Sequence, residues 1–132
     1  MAHILVVDDE VALRRVIAMM LTRRGYEVTA AENGARALKL AEQTTFDLVI
    51  TDLVMPEKEG IETIMTLRKR APELRIIAMS GGGQGASGTY LGLARQLGAS
   101  ATLAKPFAMD DLLGTVERVL NSPVEHSSTA EQ

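Results

Sequence analysis

Five side chains in this sequence could do chemistry together: the carboxylates Asp8, Asp9 and Asp52, the hydroxyl of Ser80 and the amine of Lys105. Carboxylates brought close to one another repel, so a pocket built from three of them calls for a cation. The chain has no Cys and only two His, at positions 3 and 126, so that cation must be one that oxygen ligands satisfy. Mg²⁺ takes one to a few carboxylates together with waters and a phosphate, which suits Asp8, Asp9 and Asp52, with Mn²⁺ as a substitute. Asp52 could then act as a nucleophile toward a phosphoryl group and form an acyl phosphate. Such a transfer depends on neutralising and positioning charge more than on acid–base work. Lys105 would partner a phosphoryl oxygen or Asp52 itself, and Ser80 would donate to another oxygen.

Taken singly, each residue has an ordinary explanation. Asp8 and Asp9 could cap the first helix, Asp52 could serve a turn before Pro56, Ser80 could be a loop hydroxyl and Lys105 a solvated amine. What sets them apart is where they fall. Apolar runs at Ile4–Val7, Leu48–Thr51, Arg75–Met79 and Ala101–Leu103, with a more polar Glu27–Ala31, read as strands; their near-continuous apolarity indicates a parallel sheet buried on both faces. Helical periodicity occupies Val11–Arg24, where Leu13, Val16, Ile17, Met20 and Leu21 make one face and Gly25 a C-terminal stop. Further helices are expected at Gly34–Gln43, Ile61–Arg70, Gly88–Leu97 and Asp110–Asn121, the last with Leu112, Leu113, Val116, Val119 and Leu120 on one face. Strand–helix alternation with short connections predicts right-handed crossovers and a three-layer α/β/α, doubly wound, five-stranded parallel sheet. In such a fold the loops at the carboxyl ends of the strands converge, and all five residues fall at those ends.

Composition sets the outer bounds. A chain of 132 residues suits a single domain with its own core. Its 46% hydrophobic and 23% charged residues are ordinary for a folded protein, and a net charge of −3 argues against non-specific nucleic-acid binding. The apolar run after Met1-Ala2-His3 is too short for a signal or membrane segment, so a cytoplasmic protein without membrane contact is expected. Periodicity is lost in a Ser/Glu-rich tail, dividing the chain into a domain over residues 1–121 and a tail over 122–132.

Together, Leu5-Val6-Val7-Asp8-Asp9-Glu10, Asp47 through Pro56 with Gly60 following, Ser80 and Lys105-Pro106-Phe107 resemble the receiver domain of bacterial two-component response regulators, the family that includes the single-domain chemotaxis regulator. The resemblance implies a flavodoxin-like sheet of strand order 2-1-3-4-5. It implies that Asp52 accepts a phosphoryl group from a sensor histidine kinase or phosphotransfer protein, and that Asp8, Asp9, Asp52 and the backbone carbonyl of Val54 hold Mg²⁺. Ser80 matches the switch hydroxyl, Lys105 the lysine that contacts the phosphoryl group, and Pro106 a proline that is often cis. Such a protein is a signalling switch rather than an enzyme, reacting slowly with phosphodonors and water. Its surface on the last two helices and last strand would control a downstream partner or pass the phosphoryl group on. No nucleic acid would be bound in cis, and a monomer or weak homodimer is expected.

Two departures stand out. Thr102 occupies a position where the family often has an aromatic that moves with the switch hydroxyl, so that coupling cannot operate as such. The stretch from Ser80 to Gly88, with Gly81, Gly82 and Gly83 leading, is unusually glycine-rich and is expected to order on phosphorylation. Within it, Gly83 to Gly88 matches G-x-G-x-x-G, but it follows the fourth strand, and no acid ends the next strand, so it is not taken as a nucleotide site. Val54 and Gly82 bring no polar group to orient water, which predicts slow dephosphorylation. Two other functions fit the same residues: a Mg²⁺-dependent phosphohydrolase, against which stands the missing second acid after Asp52, and a constitutive interaction module that has lost phosphorylation.

Overall fold

In this computed structural model, residues 2–53, 59–80, 92 and 94–122 are described, with the side chain of Glu59 excepted. The expectations placed on Val54, Pro56, Gly81, Gly82, Gly83 and the tail beyond Ser122 lie outside them. The described elements are β1 (His3–Val7), α1 (Val11–Arg23), β2 (Glu27–Ala31), α2 (Gly34–Gln43), β3 (Leu48–Asp52), α3 (Glu59–Arg70), β4 (Arg75–Ser80), β5 (Ala101–Ala104) and a C-terminal helix, α4 (Met109–Asn121). Residues 92 and 94–96 are also helical. All four strand pairings are parallel, in the order β2-β1-β3-β4-β5.

The apolar runs of the three central strands have side chains that alternate between two cores, as the two-residue period of a strand requires. Leu5, Val7, Val49, Ile76 and Ala78 pack with Ala37, Ile64 and Leu67 of α2 and α3. Ile4, Val6, Leu48, Ile50, Ile77 and Met79 face the other way, against Ile17 and Leu21 of α1 and Leu112, Leu113 and Val116 of α4. Strands β2 and β5 form the edges and are less buried, which is why Glu27–Ala31 reads as more polar. Gly25 ends the turn after α1 at φ +95, a backbone conformation that costs glycine little.

Several boundaries differ from the sequence expectation. The sheet extends one residue past the expected end of β3, β4 and β5, taking in Asp52, Ser80 and Ala104, because backbone pairing does not depend on the side chain being apolar. Helix α3 starts at Glu59 rather than Ile61 and α4 at Met109 rather than Asp110, a residue or two ahead of the expected boundaries, as helix ends commonly are. Helix α1 ends at Arg23, with Arg24 as its C-cap, and Val16 lies 40% exposed at the margin of the buried stripe. Neither Asp8 nor Asp9 caps α1: the N-cap is Glu10, and its side chain makes no capping bond.

Gly60, in the first turn of α3, lies directly on the end of β3. A Cβ there would meet the Asp52 carbonyl oxygen and come within 2.6 Å of Leu53 Cα and 2.8 Å of the Leu53 carbonyl oxygen. All three are backbone atoms with little freedom to give way. Gly60→Ala is therefore expected to lower stability by about 1–3 kcal/mol or more, read as a shift in the urea unfolding midpoint. A midpoint equal to the parent's would show that α3 can retreat from β3.

Candidate functional site

Parallel register brings the chemical residues to one edge. Val7 is level with Thr51, Asp52 with Met79, and Ser80 with Ala104, so Asp8, Asp52, Ser80 and Lys105 all emerge at the carboxyl end of the sheet. Two backbone bonds fix the level: Leu53 N donates to Met79 O at 2.8 Å and Lys105 N to Ser80 O at 2.7 Å.

At this edge the Lys105 ammonium bridges two buried carboxylates, lying 3.0 Å from Asp8 Oδ2 and 3.0 Å from Asp52 Oδ2. The side chain of Asp8 is 0% exposed, that of Asp52 6% and that of Lys105 18%. Burial opposes the charge on Lys105, but its hydrogen bonds to Asp8 and Asp52 and their negative charges outweigh that, holding its pKa above the ordinary lysine value. Asp8 is held on several sides. Glu10 N donates to its Oδ1 at 2.9 Å, Arg14 Nη1 donates to its carbonyl oxygen at 2.8 Å, and its own N–H reaches Ala31 O. Asp9 is exposed on the open side.

Carboxylate oxygens of Asp8, Asp9 and Asp52 lie within 4.8 Å of one another. Three hard oxygen donors face one ammonium, two of the acids are buried, and the remaining negative charge is what a divalent metal ion would neutralise. The donor set therefore fits such an ion. Ser80 is fully buried, and its Oγ has no hydrogen-bond partner among the described residues, which leaves a donor available at the same edge. The peptide Lys105-Pro106 is cis.

Other singled-out residues fall outside this cluster. Thr102, on β5, is half-buried, and its hydroxyl accepts a hydrogen bond of 3.2 Å from Arg95 Nη2. Two contributors carried no role in the sequence reading: Arg14, and Glu10 as more than a member of a motif. The signal for Arg14 is its place in the first turn of α1, from which a long side chain reaches back to the preceding loop. Among the described residues, no helix is long and apolar enough to cross a membrane.

Comparison with known proteins agrees with this geometry. The sequence pattern of the response regulator receiver domain matches residues 4–117. The chain is 38% identical to the chemotaxis protein CheY of Bacillus subtilis, over 92% of this chain and 100% of that protein. It is 40% identical to the DNA-binding transcriptional regulator NtrC of Azospirillum brasilense over 92% of this chain, but spans only 24% of that longer relative. Among solved structures, the response regulator protein TrrA of Thermotoga maritima, in complex with Mg(2+)-BeF, is 35% identical with a TM-score of 0.78, covering 90% of this chain and 99% of that one. A CheY-like receiver domain protein from Methanospirillum hungatei has a TM-score of 0.82 at 28% identity, covering 92% and 94%.

Removing Lys105 leaves two buried carboxylates without their cation. Lys105→Met is expected to cost about 3–5 kcal/mol in metal-free protein, by urea unfolding in a chelator. Because the folded pKa of Lys105 is raised, its contribution is fully present below the unfolded value of about 10.4 and is lost only as pH rises through the folded value. The penalty should therefore stay level between roughly pH 7 and 9. A penalty that fades within that window would mean that the bridge is not what holds the acids.

Proposed function

Because the chain belongs to the response regulator receiver family, a family of phosphorylation-dependent signalling switches, we propose that Asp52 is its phosphoryl acceptor and Lys105, Ser80, Asp8 and Asp9 the groups that serve it. The observation that carries this assignment is the Lys105 bridge. It holds one oxygen of Asp52 at 3.0 Å while the carboxylate sits at the carboxyl end of β3, beside the other acids of a cluster that could hold a metal ion.

The donor is a phosphohistidine on a sensor kinase or phosphotransfer protein. An Asp52 oxygen attacks phosphorus, and the P–N bond to the donor breaks as the acyl phosphate forms. Lys105 fixes Asp52 beforehand and stays beside the phosphoryl oxygens afterwards; Ser80 Oγ, having no partner among the described residues, donates to one of them. Mg²⁺, held by Asp8, Asp9, Asp52 and the Val54 carbonyl, would supply the positive charge that lets an anionic phosphoryl group approach, and Mn²⁺ would substitute. The Mg(2+)-BeF bound to the Thermotoga relative supports this choice. Residues 1–121 form the receiver and 122–132 a tail, in a cytoplasmic monomer or weak homodimer that acts on a downstream protein or passes the phosphoryl group on.

Intact-mass spectrometry after incubation with acetyl phosphate tests the assignment. One phosphoryl gain that requires Mg²⁺ and disappears in Asp52→Asn is the expected result. A gain that persists in Asp52→Asn would move the acceptor elsewhere, and no gain in the unsubstituted chain would count against phosphorylation by small donors altogether.

A further inference from the structure

Beside the acidic cluster lies a cavity of about 390 Å³, lined by Glu10, Leu13, Lys105, Pro106 and Phe107. It shares the residue Lys105 with the cluster, so whatever enters it lies beside the residue that holds Asp52. Leu13, Pro106 and Phe107 give it apolar walls and Glu10 a carboxylate rim. That carboxylate is free of the role its position invites: Glu10 is the N-cap of α1, yet its side chain makes no capping bond. Its backbone is fixed by the 2.9 Å bond from Glu10 N to Asp8 Oδ1.

We propose that this cavity seats the leaving group of the phosphodonor, and that Glu10 is a specificity-determining residue favouring a protonated imidazole over an acyl leaving group. The inference rests on the assignment of Asp52 as acceptor. In a reactive phosphoimidazole the phosphoryl group is on one ring nitrogen and a proton on the other. As the bond from Asp52 to phosphorus forms, the P–N bond breaks and its electron pair returns to the ring. The ring departs as neutral imidazole with the second nitrogen still protonated, so no proton has to be supplied. A carboxylate at the rim accepts a hydrogen bond from that N–H and favours the protonated ring, a charge-assisted contact of the stronger kind. Leu13, Pro106 and Phe107 pack against the flat apolar faces of the ring. Acetate, the leaving group of acetyl phosphate, has no N–H and carries negative charge, so Glu10 offers it no hydrogen bond and repels it.

The test compares phosphorylation rates of the whole chain from phosphoimidazole and from acetyl phosphate, by intact mass, in parent, Glu10→Gln and Glu10→Asp, with Mg²⁺ affinity measured by calorimetry. The ratio of the phosphoimidazole rate to the acetyl phosphate rate should fall roughly tenfold in Glu10→Gln, the effect of losing one charge-assisted hydrogen bond, and recover in part in Glu10→Asp. Mg²⁺ affinity should not follow the ratio. An unchanged ratio, with both rates intact or both lowered alike, would overturn the proposal. A change in ratio fully tracked by weakened Mg²⁺ binding would overturn it as well. If the parent gains no phosphoryl group from either donor, the acceptor assignment itself fails and the leaving-group seat with it.

Discussion

One ammonium group placed between two buried carboxylates is the constraint on which the rest of this molecule turns. Asp8 and Asp52 end up at the carboxyl edge of adjacent strands, where water is largely excluded and neither could remain charged alone at tolerable cost. Lys105, 3.0 Å from both, makes their burial sustainable, and it comes from the opposite end of the sequence. The interaction thus requires β1, β3 and β5 to be level with one another. A slip of one residue in any of these strands would turn a charged side chain into the core.

Much of the remaining structure maintains that level. The two apolar cores grip both faces of β1, β3 and β4, leaving those strands little freedom to slide. The edge strand β5 is less buried and is secured otherwise. Ser100 N donates to Ile76 O at 2.6 Å, and Ser100 Oγ accepts from Ile76 N at 3.2 Å, pinning the start of β5 to the start of β4. Arg68 adds a tie from the end of α3: its guanidinium donates to Pro72 O at 2.6 Å and to Gly98 O at 2.8 Å, joining the turn before β4 to the turn before β5. Gly98, at φ +101, lies so close that a Cβ would stand 3.0 Å from Arg68 Nε. Burial lowers the pKa of that guanidinium, and its Nε has no partner among the described residues. Lys105 is thereby held in place from the far end of its own strand.

The sequence displayed most of this because apolar periodicity and strand-end chemistry are both local signals. Continuous apolar runs locate β1, β3 and β4 to within a residue, and the acids following them locate the site. What escaped was whatever depends on reach or on backbone pairing beyond the apolar run. Asp52 and Ser80 look like loop residues after strands, yet they are the last paired residues within them. Arg14 looks like one more surface arginine on α1, because its place in the first turn shows that it can reach back but not that its guanidinium meets the Asp8 carbonyl. Val16 fits the apolar stripe of α1 by spacing, but it falls at the margin and is exposed to solvent. The small residue at position 102 is legible, whereas the bond it accepts from Arg95 is not.

The groups at the site differ in how fully they are satisfied, and this bears on how it could switch. Asp8 has both carboxylate oxygens and its carbonyl engaged, so it forms a fixed floor. Asp9 stands at the open side, where an ion can enter without disturbing that floor. Ser80 is the opposite case, a fully buried hydroxyl with no partner among the described residues, a situation that costs about 1–3 kcal/mol until an acceptor arrives. A phosphoryl oxygen on Asp52 would be such an acceptor. Position 102 carries a threonine rather than an aromatic, and its hydroxyl is tied to Arg95 Nη2 at 3.2 Å, so no ring stands there to move with Ser80.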